Sequence, residues 1–150
     1  LVLVKPELDQ WSPGEHNGTF RGNCHAFVTA KAAIDTFWSD DSFAAEVQKK
    51  GERLRKRLRE IALANRSVVK GVKGRGMMCG LDVGSSKISD PVVDEAFKRG
   101  LIIETSGAHD QILKVLAPLN ITEADLDAGL DILADCVAEV AERQALGSAA

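Results

Sequence analysis

The sequence predicts an α/β protein in which a small sheet is backed by helices. Three observations carry that prediction. Short apolar runs of strand length alternate with longer segments whose apolar residues recur every three or four positions. Glycine-rich turns separate the runs. A last stretch places Leu126, Leu130, Leu133, Val137 and Val140 in 4-3-4-3 spacing, which is one face of a helix.

The elements follow in order. Residues 1–4 are apolar at both parities and read as a fully buried strand. Pro6, Pro13, Gly14, Asn17, Gly18 and Gly22 then break any periodicity, so residues 5–23 read as a long loop. Loops of that length in compact domains are usually functional or disordered, and Trp11, His16, Phe20 and Arg21 favour function here. Asn23 suits an N-cap for a helix over 24–38. Ser39-Asp40-Asp41-Ser42 ends that helix and starts another, in which Phe43, Val47, Leu54, Leu58 and Ile61 keep a helical rhythm to Ala64. Gly51 falls on the same stripe at a cost of about 1 kcal/mol relative to Ala, which predicts a close backbone contact. Strands are expected over 67–73 and 77–83, joined by Gly74-Arg75-Gly76. Ser89, Asp90 and Pro91 read as a helix start and Gly100 as its stop, with Val92, Val93, Ala96 and Phe97 between them. Leu101–Glu104 and Ile112–Leu116 read as strands, and Thr122-x-x-Asp125 as a capping box for the last helix.

Composition narrows the function classes. A chain of 150 residues is about one domain, and a chain of that size buries about two-thirds of its unfolded surface. With 45% apolar and 27% charged residues, disorder is not expected. A net charge of -3 argues against nonspecific nucleic-acid binding. No apolar run approaches the ~20 residues of a membrane span, and no signal-peptide pattern is present. Cys24, Cys79 and Cys136 are too few for a disulfide framework, so a reducing cytoplasm is the expected compartment. The chain opens at Leu1, without Met and inside an apolar run, and is read as the C-terminal part of a longer protein rather than a product of processing.

Several motifs invite chemistry. Gly74, Gly76 and Gly80 are spaced one residue too long for a dinucleotide fingerprint and lead into a strand instead of a helix, so a hairpin turn is the better reading. The seven basic residues among 49–59 lack interleaved aromatics for base stacking and read as a solvated helix face. His16, His25, His109 and the cysteines show no Cys-x-x-Cys or His-x-x-x-His spacing, so no metal site is expected. No Gly-x-Ser-x-Gly nucleophile elbow occurs. The strongest feature is residues 16–23. Gly18 and Gly22 let the backbone turn and approach a ligand, and Thr19 offers a hydroxyl and an N–H close together, a pair suited to a phosphate oxygen. Arg21 adds charge beside them. The alternative is a glycine-rich connection that Phe20 anchors to the core.

The segment Glu15-His16-Asn17-Gly18-Thr19-Phe20-Arg21-Gly22-Asn23, followed by an Ala-rich helix, resembles the His-Gly-x-Thr-Phe-x-Gly-Asn segment of class III aminotransferases, which are pyridoxal-phosphate enzymes of fold type I. Gly74-Arg75-Gly76-Met77-Met78-x-Gly80 is similar to their Arg-Gly-x-Gly-Leu-Met-x-Gly hairpin, and Lys114-Val115-Leu116-Ala117-Pro118-Leu119 to their Arg-x-x-Pro-Pro-Leu strand end. The three occur in family order across the chain.

The resemblance implies that residues 1–38 form the C-terminal edge of the large cofactor-binding domain and 39–150 the small C-terminal domain. It implies pyridoxal 5'-phosphate as cofactor, with Thr19, flanked by Gly18 and Phe20, on the cofactor phosphate of the partner subunit, and hence at least a homodimer with a shared site. Lys114 stands where relatives carry an Arg that grips a substrate carboxylate; a lysine is a point charge and not a planar fork, so bidentate capture is lost there. The lysine that carries the cofactor as a Schiff base, and the acid at its ring nitrogen, lie upstream of the strand matching residues 1–4 in the family, so the chain alone is expected to be inactive. The substrates implied are an amino acid and an oxo acid. In residues 5–23, 104–107 and 113–119 the resemblance is to family members of ectoine biosynthesis, which implies exchange between glutamate plus aspartate 4-semialdehyde and 2-oxoglutarate plus 2,4-diaminobutyrate. The alternatives are a member acting on ornithine, acetylornithine or 4-aminobutyrate, or a non-catalytic interaction module.

Overall fold

The computed structural model describes residues 3–147 and divides into two compact units between Asp41 and Ser42.

The first unit is organised by local hydrogen bonds. Pro6–Leu8 form one 3-10 turn, and α1 spans Cys24–Phe37. Asn23 caps α1: its side-chain oxygen accepts from the N–H groups of His25 (3.0 Å) and Ala26 (3.2 Å). Lys31 and Asp35 pair one turn apart along it. The helix ends where the Trp38 N–H donates to the Ile34 carbonyl (2.9 Å). No described residue of this unit is buried, Phe27 and Ile34 of α1 included.

The strand expected over 1–4 is not formed where it can be inspected. Leu1 and Val2 lie outside the described residues, while Leu3 and Val4 are exposed and irregular. A strand needs a neighbour for its N–H and C=O groups, and the first unit contains no other strand among the described residues.

The second unit holds the core. Helix α2 (Ser42–Ala64) buries Leu54, Leu58 and Ile61 at i, i+4 and i+7. Full burial of such a side chain is worth about 1.5–3 kcal/mol. Strands β1 (Gly71–Arg75) and β2 (Met78–Asp82) form a hairpin across Gly76-Met77. Helix α3 (Ser86–Lys98) follows, then β3 (Glu104–Ser106), β4 (Ile112–Leu116) and α4 (Glu123–Gly147). The sheet is antiparallel throughout in the order β1-β2-β4-β3.

Directly opposed residues share a face of such a sheet. One face carries Val72, Cys79, Leu81, Leu113 and Val115 into the core, which α2, α3 and α4 complete with Val92, Ala96, Leu126, Leu130, Leu133 and Val137. The other face is open and carries the row Lys73, Gly80, Lys114, Glu104.

Three local predictions are realised closely. A Cβ on Gly51 would lie 3.0 Å from the Gly76 backbone, so α2 meets the hairpin tip through the glycine whose cost required a contact. The Thr122 hydroxyl accepts from the Asp125 N–H (3.0 Å) and opens α4. Gly100, at φ +84°, ends α3: its N–H donates to Phe97 (3.0 Å) and the Leu101 N–H to Ala96 (2.9 Å), a Schellman arrangement that few other residues permit.

Other boundaries move. The first strand starts at Gly71, not at 67, and Leu101–Glu104 yields to Glu104–Ser106. Val68 and Val69 are buried, but they belong to the turn that leaves α2; apolarity put them inside without any pairing partner. Helix α3 begins a turn before Ser89, at Ser86 with Ser85 as N-cap, and contains Pro91. Ser89 is buried and its hydroxyl donates to the Asp110 carbonyl (2.6 Å), so it ties α3 to the β3–β4 loop and caps nothing.

The basic run is not uniformly solvated either. Lys50 is only 3% exposed, and its ammonium donates to the Leu119 carbonyl (3.1 Å) and pairs with Glu46 (2.5 Å). Arg53 and Arg57 face α4, where Arg53 Nε donates to Asp127 (2.8 Å) and Arg57 pairs with Asp131 (2.5 Å). The arginine hydrogen bond holds the Asp127 carboxyl below the usual aspartate range.

Candidate active-site elements

The two groups of predicted site residues belong to different units. Gly18, Thr19 and Phe20 lie in the first and Lys114 in the second.

Residues 18–21 form a tight turn in which the Arg21 N–H donates to the Gly18 carbonyl (3.0 Å). The Arg21 guanidinium folds back to donate to the His16 carbonyl (2.7 Å). Gly18 leaves room for this, since a Cβ there would lie 3.0 Å from Arg21 Cγ. Gly22, at φ +71°, redirects the chain into Asn23 and α1. Upstream, the His16 ring lies against Trp11 at a centroid distance of 5.3 Å, and Glu15 accepts from the Ser12 N–H (2.7 Å).

These contacts fix the flanks and leave the centre open. Among the described residues, the Thr19 hydroxyl and the N–H groups of Thr19 and Phe20 make no hydrogen bond. Three adjacent donors on one turn match the oxygens of a phosphate ester. Phe20 is 87% exposed among the described residues. Arg21 spends part of its donor set on His16 and is not wholly free for an anion.

Lys114 stands on the open face of the sheet, between Gly80 of β2 and Glu104 of β3. Its ammonium donates to Glu104 Oε2 at 2.8 Å, and that bond holds the Glu104 carboxyl below the usual glutamate range. Gly80 beside it lets β4 approach closely. A Cβ on Gly80 would overlap the Leu113 carbonyl oxygen and lie 2.8 Å from Ile112 Cγ2. Lys114 also borders a cavity of about 270 Å³ with Leu116, Ala117, Pro118 and Asp125. The Lys114 ammonium is thus already engaged by a carboxylate of the same sheet.

The sequence reading did not pair Glu104 with Lys114. The signal was available only through register, because the two are cross-strand neighbours around a hairpin. It also missed Lys50, whose bond to Leu119 holds the chain just beyond the strand end that carries Lys114. Cys79 and Cys136 are packed thiols as expected, and burial pushes the Cys136 thiol up.

Comparison with known proteins places these elements. The family model described as aminotransferase class-III matches residues 3–137. An uncharacterized aminotransferase of Sinorhizobium fredii is 50% identical over 138 residues, which is 92% of this chain and 31% of that protein. The diaminobutyrate–2-oxoglutarate transaminase of Vibrio cholerae is 48% identical over 133 residues, 89% of this chain and 32% of that one. Among solved structures, the lysine aminotransferase from M. tuberculosis superposes with a TM-score of 0.72 at 25% identity, over 85% of this chain and 29% of that one. The chain thus spans about a third of the length of the curated relatives it matches. With the matched region covering the turn at Thr19, the 76–77 hairpin and the strand of Lys114, the chain belongs to the class III aminotransferase family.

Proposed function

We propose that this chain is the C-terminal part of a pyridoxal-phosphate-dependent transaminase. The whole protein would exchange an amino group between glutamate plus aspartate 4-semialdehyde and 2-oxoglutarate plus 2,4-diaminobutyrate, the diamine of ectoine biosynthesis. The observation that carries the reading is the near 50% identity with relatives named for the diaminobutyrate reaction, in a chain whose family match takes in both the Thr19 turn and the Lys114 strand.

The donor set at residues 18–20 fits the phosphate of the cofactor. Thr19 would hold it through its hydroxyl and N–H, Phe20 through its N–H, and Gly18 keeps Arg21 folded away from the turn's centre. Pyridoxal phosphate, when bound, supplies the aldehyde that takes up an amino group and the ring that draws electrons from the carbon losing its proton. Lys114 would receive a substrate carboxylate through a single charge-assisted bond after parting from Glu104. In this reading the first unit is the edge of the large domain and the second is the small domain. The cofactor phosphate held by Thr19 is the partner subunit's, which makes the protein a homodimer or larger. No helix among the described residues is long and apolar enough to cross a membrane; we place the enzyme in the cytoplasm.

The test is an amine-donor comparison on the complete protein. Turnover with glutamate and aspartate 4-semialdehyde should exceed that with ornithine, acetylornithine or 4-aminobutyrate at least tenfold, and preference for any of those three overturns the substrate assignment. The 150-residue chain, treated with pyridoxal phosphate and borohydride, should yield no adduct at a specific lysine; a stoichiometric adduct contradicts the upstream location of the reactive lysine.

A further inference from the structure

Lys114 and Glu104 form an ion pair with hydrogen-bonding capacity to spare. An ammonium has three donors and a carboxylate two oxygens. One Lys114 donor meets Glu104 Oε2 at 2.8 Å, and among the described residues neither side chain has another partner. Two donors and Glu104 Oε1 are left unspent, side by side.

The sheet sets this arrangement. Glu104 and Lys114 are directly opposed in the β3–β4 ladder, and β3 is an edge strand. On its other side Lys114 is opposed by Gly80, which carries no side chain. The Lys114 side chain is 23% exposed and that of Glu104 74%, so the cation is rooted in the sheet while the carboxylate reaches solvent. A pair this exposed adds little to stability.

The pair discriminates between kinds of ligand. A lone carboxylate that reaches Lys114 gains the cation but sits beside the Glu104 charge, and like charges brought together oppose binding. A group that carries a carboxylate and an ammonium on one carbon meets a donor and an acceptor in matching order. Four alternating charges then close a ring and the ion pair stays intact. The substrates of the proposed reaction divide on this point. 2,4-Diaminobutyrate and aspartate 4-semialdehyde share an α-amino-acid head that takes no part in the exchange. The ammonium of 4-aminobutyrate is the one that reacts, 2-oxoglutarate has none, and the second nitrogen of acetylornithine is a neutral amide.

We infer that Glu104 is a specificity-determining residue, whose carboxylate receives the non-reacting ammonium of 2,4-diaminobutyrate while Lys114 holds the carboxylate on the same carbon. The inference rests on the transaminase reading and assigns a part of that site to Glu104.

The experiment is steady-state kinetics of the complete protein with 2,4-diaminobutyrate and 2-oxoglutarate, which gives both KM values in one assay. In Glu104→Gln the KM for 2,4-diaminobutyrate should rise about 10- to 100-fold, the worth of a hydrogen bond between charged groups. The KM for 2-oxoglutarate should stay level or fall, because Lys114 is released from its partner. The inhibition constant of 4-aminobutyrate should not rise, and kcat should change less than about threefold, since the contact is the same in ground and transition states. Glu104→Asp, which keeps the charge, should restore part of the affinity for the diamine. A diamine KM within about twofold of the parent value in Glu104→Gln overturns the inference and leaves the transaminase reading standing. A parallel rise in both KM values overturns it as well, since a purely structural role moves both together. Absence of turnover with 2,4-diaminobutyrate in the unaltered protein overturns the substrate reading itself, and this inference with it.

Discussion

Residues 3–41 and residues 42–147 spend their apolar side chains in opposite ways. In the second unit, Leu54, Leu58, Leu81 and Leu113 are completely buried and join three helices to one face of a sheet. In the first, Trp11, Phe20, Phe27, Ile34 and Trp38 remain exposed, and order comes from a cap at Asn23, a turn at residues 18–21 and short-range hydrogen bonds. A 14-residue helix held this way is marginal in water. The second unit thus has the ingredients of independent stability, while the first displays apolar surface that calls for cover. In the proposed reading the second unit would be a small domain and the first a segment that completes a larger neighbour.

The comparison can be broken most directly by paired truncations. Leu58→Ala should cost about 2–5 kcal/mol in chemical denaturation, because the side chain is fully buried. Phe27→Ala should change the same midpoint by less than about 0.5 kcal/mol. A comparable loss at both positions would mean that the first unit shares the core.

Gly80→Ala should be next in size. The added methyl would overlap the Leu113 carbonyl oxygen between β2 and β4, a backbone contact that cannot rotate away, and a cost of about 1–3 kcal/mol is expected. Lys50→Ala should follow, at about 1–2 kcal/mol, from loss of the bond to Leu119 and of the packed stem. Amide exchange at Leu119–Ile121 should accelerate with it.

The smallest effect concerns Glu104. Lys114 lowers its folded-state pKa, so the pair contributes stability that is present above the unfolded glutamate value and disappears as pH falls through the folded one. The stability difference between the parent chain and Glu104→Gln should therefore be constant near neutrality and vanish on acidification below the normal glutamate range. A difference that grows in acid would contradict the pairing.

How much of this was legible follows from which signals are local. Helix α4 was readable because its apolar spacing and its Thr122–Asp125 cap lie within the element itself. Gly51 announced its contact through a propensity cost that only packing could repay, and Gly76 supplies the packing. Strand limits were less legible: Val68 and Val69 are apolar and buried, yet the β1–β2 ladder starts only at Gly71, opposite Asp82, and does not reach them. Ser89 looked like a cap because serine favours both caps and buried hydroxyl bonds, and only the position of Asp110 decides between these. The Thr19 turn was legible in composition, since glycine and threonine act through their own backbone, whereas the Lys114–Glu104 pair needed a register that no local pattern encodes.

The central claim is that the Thr19 turn is a phosphate cradle, and cofactor affinity of the complete protein tests it most directly. Thr19→Ala should weaken pyridoxal-phosphate binding about 10- to 100-fold, the worth of a hydrogen bond to a charged group, and Thr19→Ser should restore most of it. Unchanged affinity in Thr19→Ala, with the protein still folded, would contradict the account.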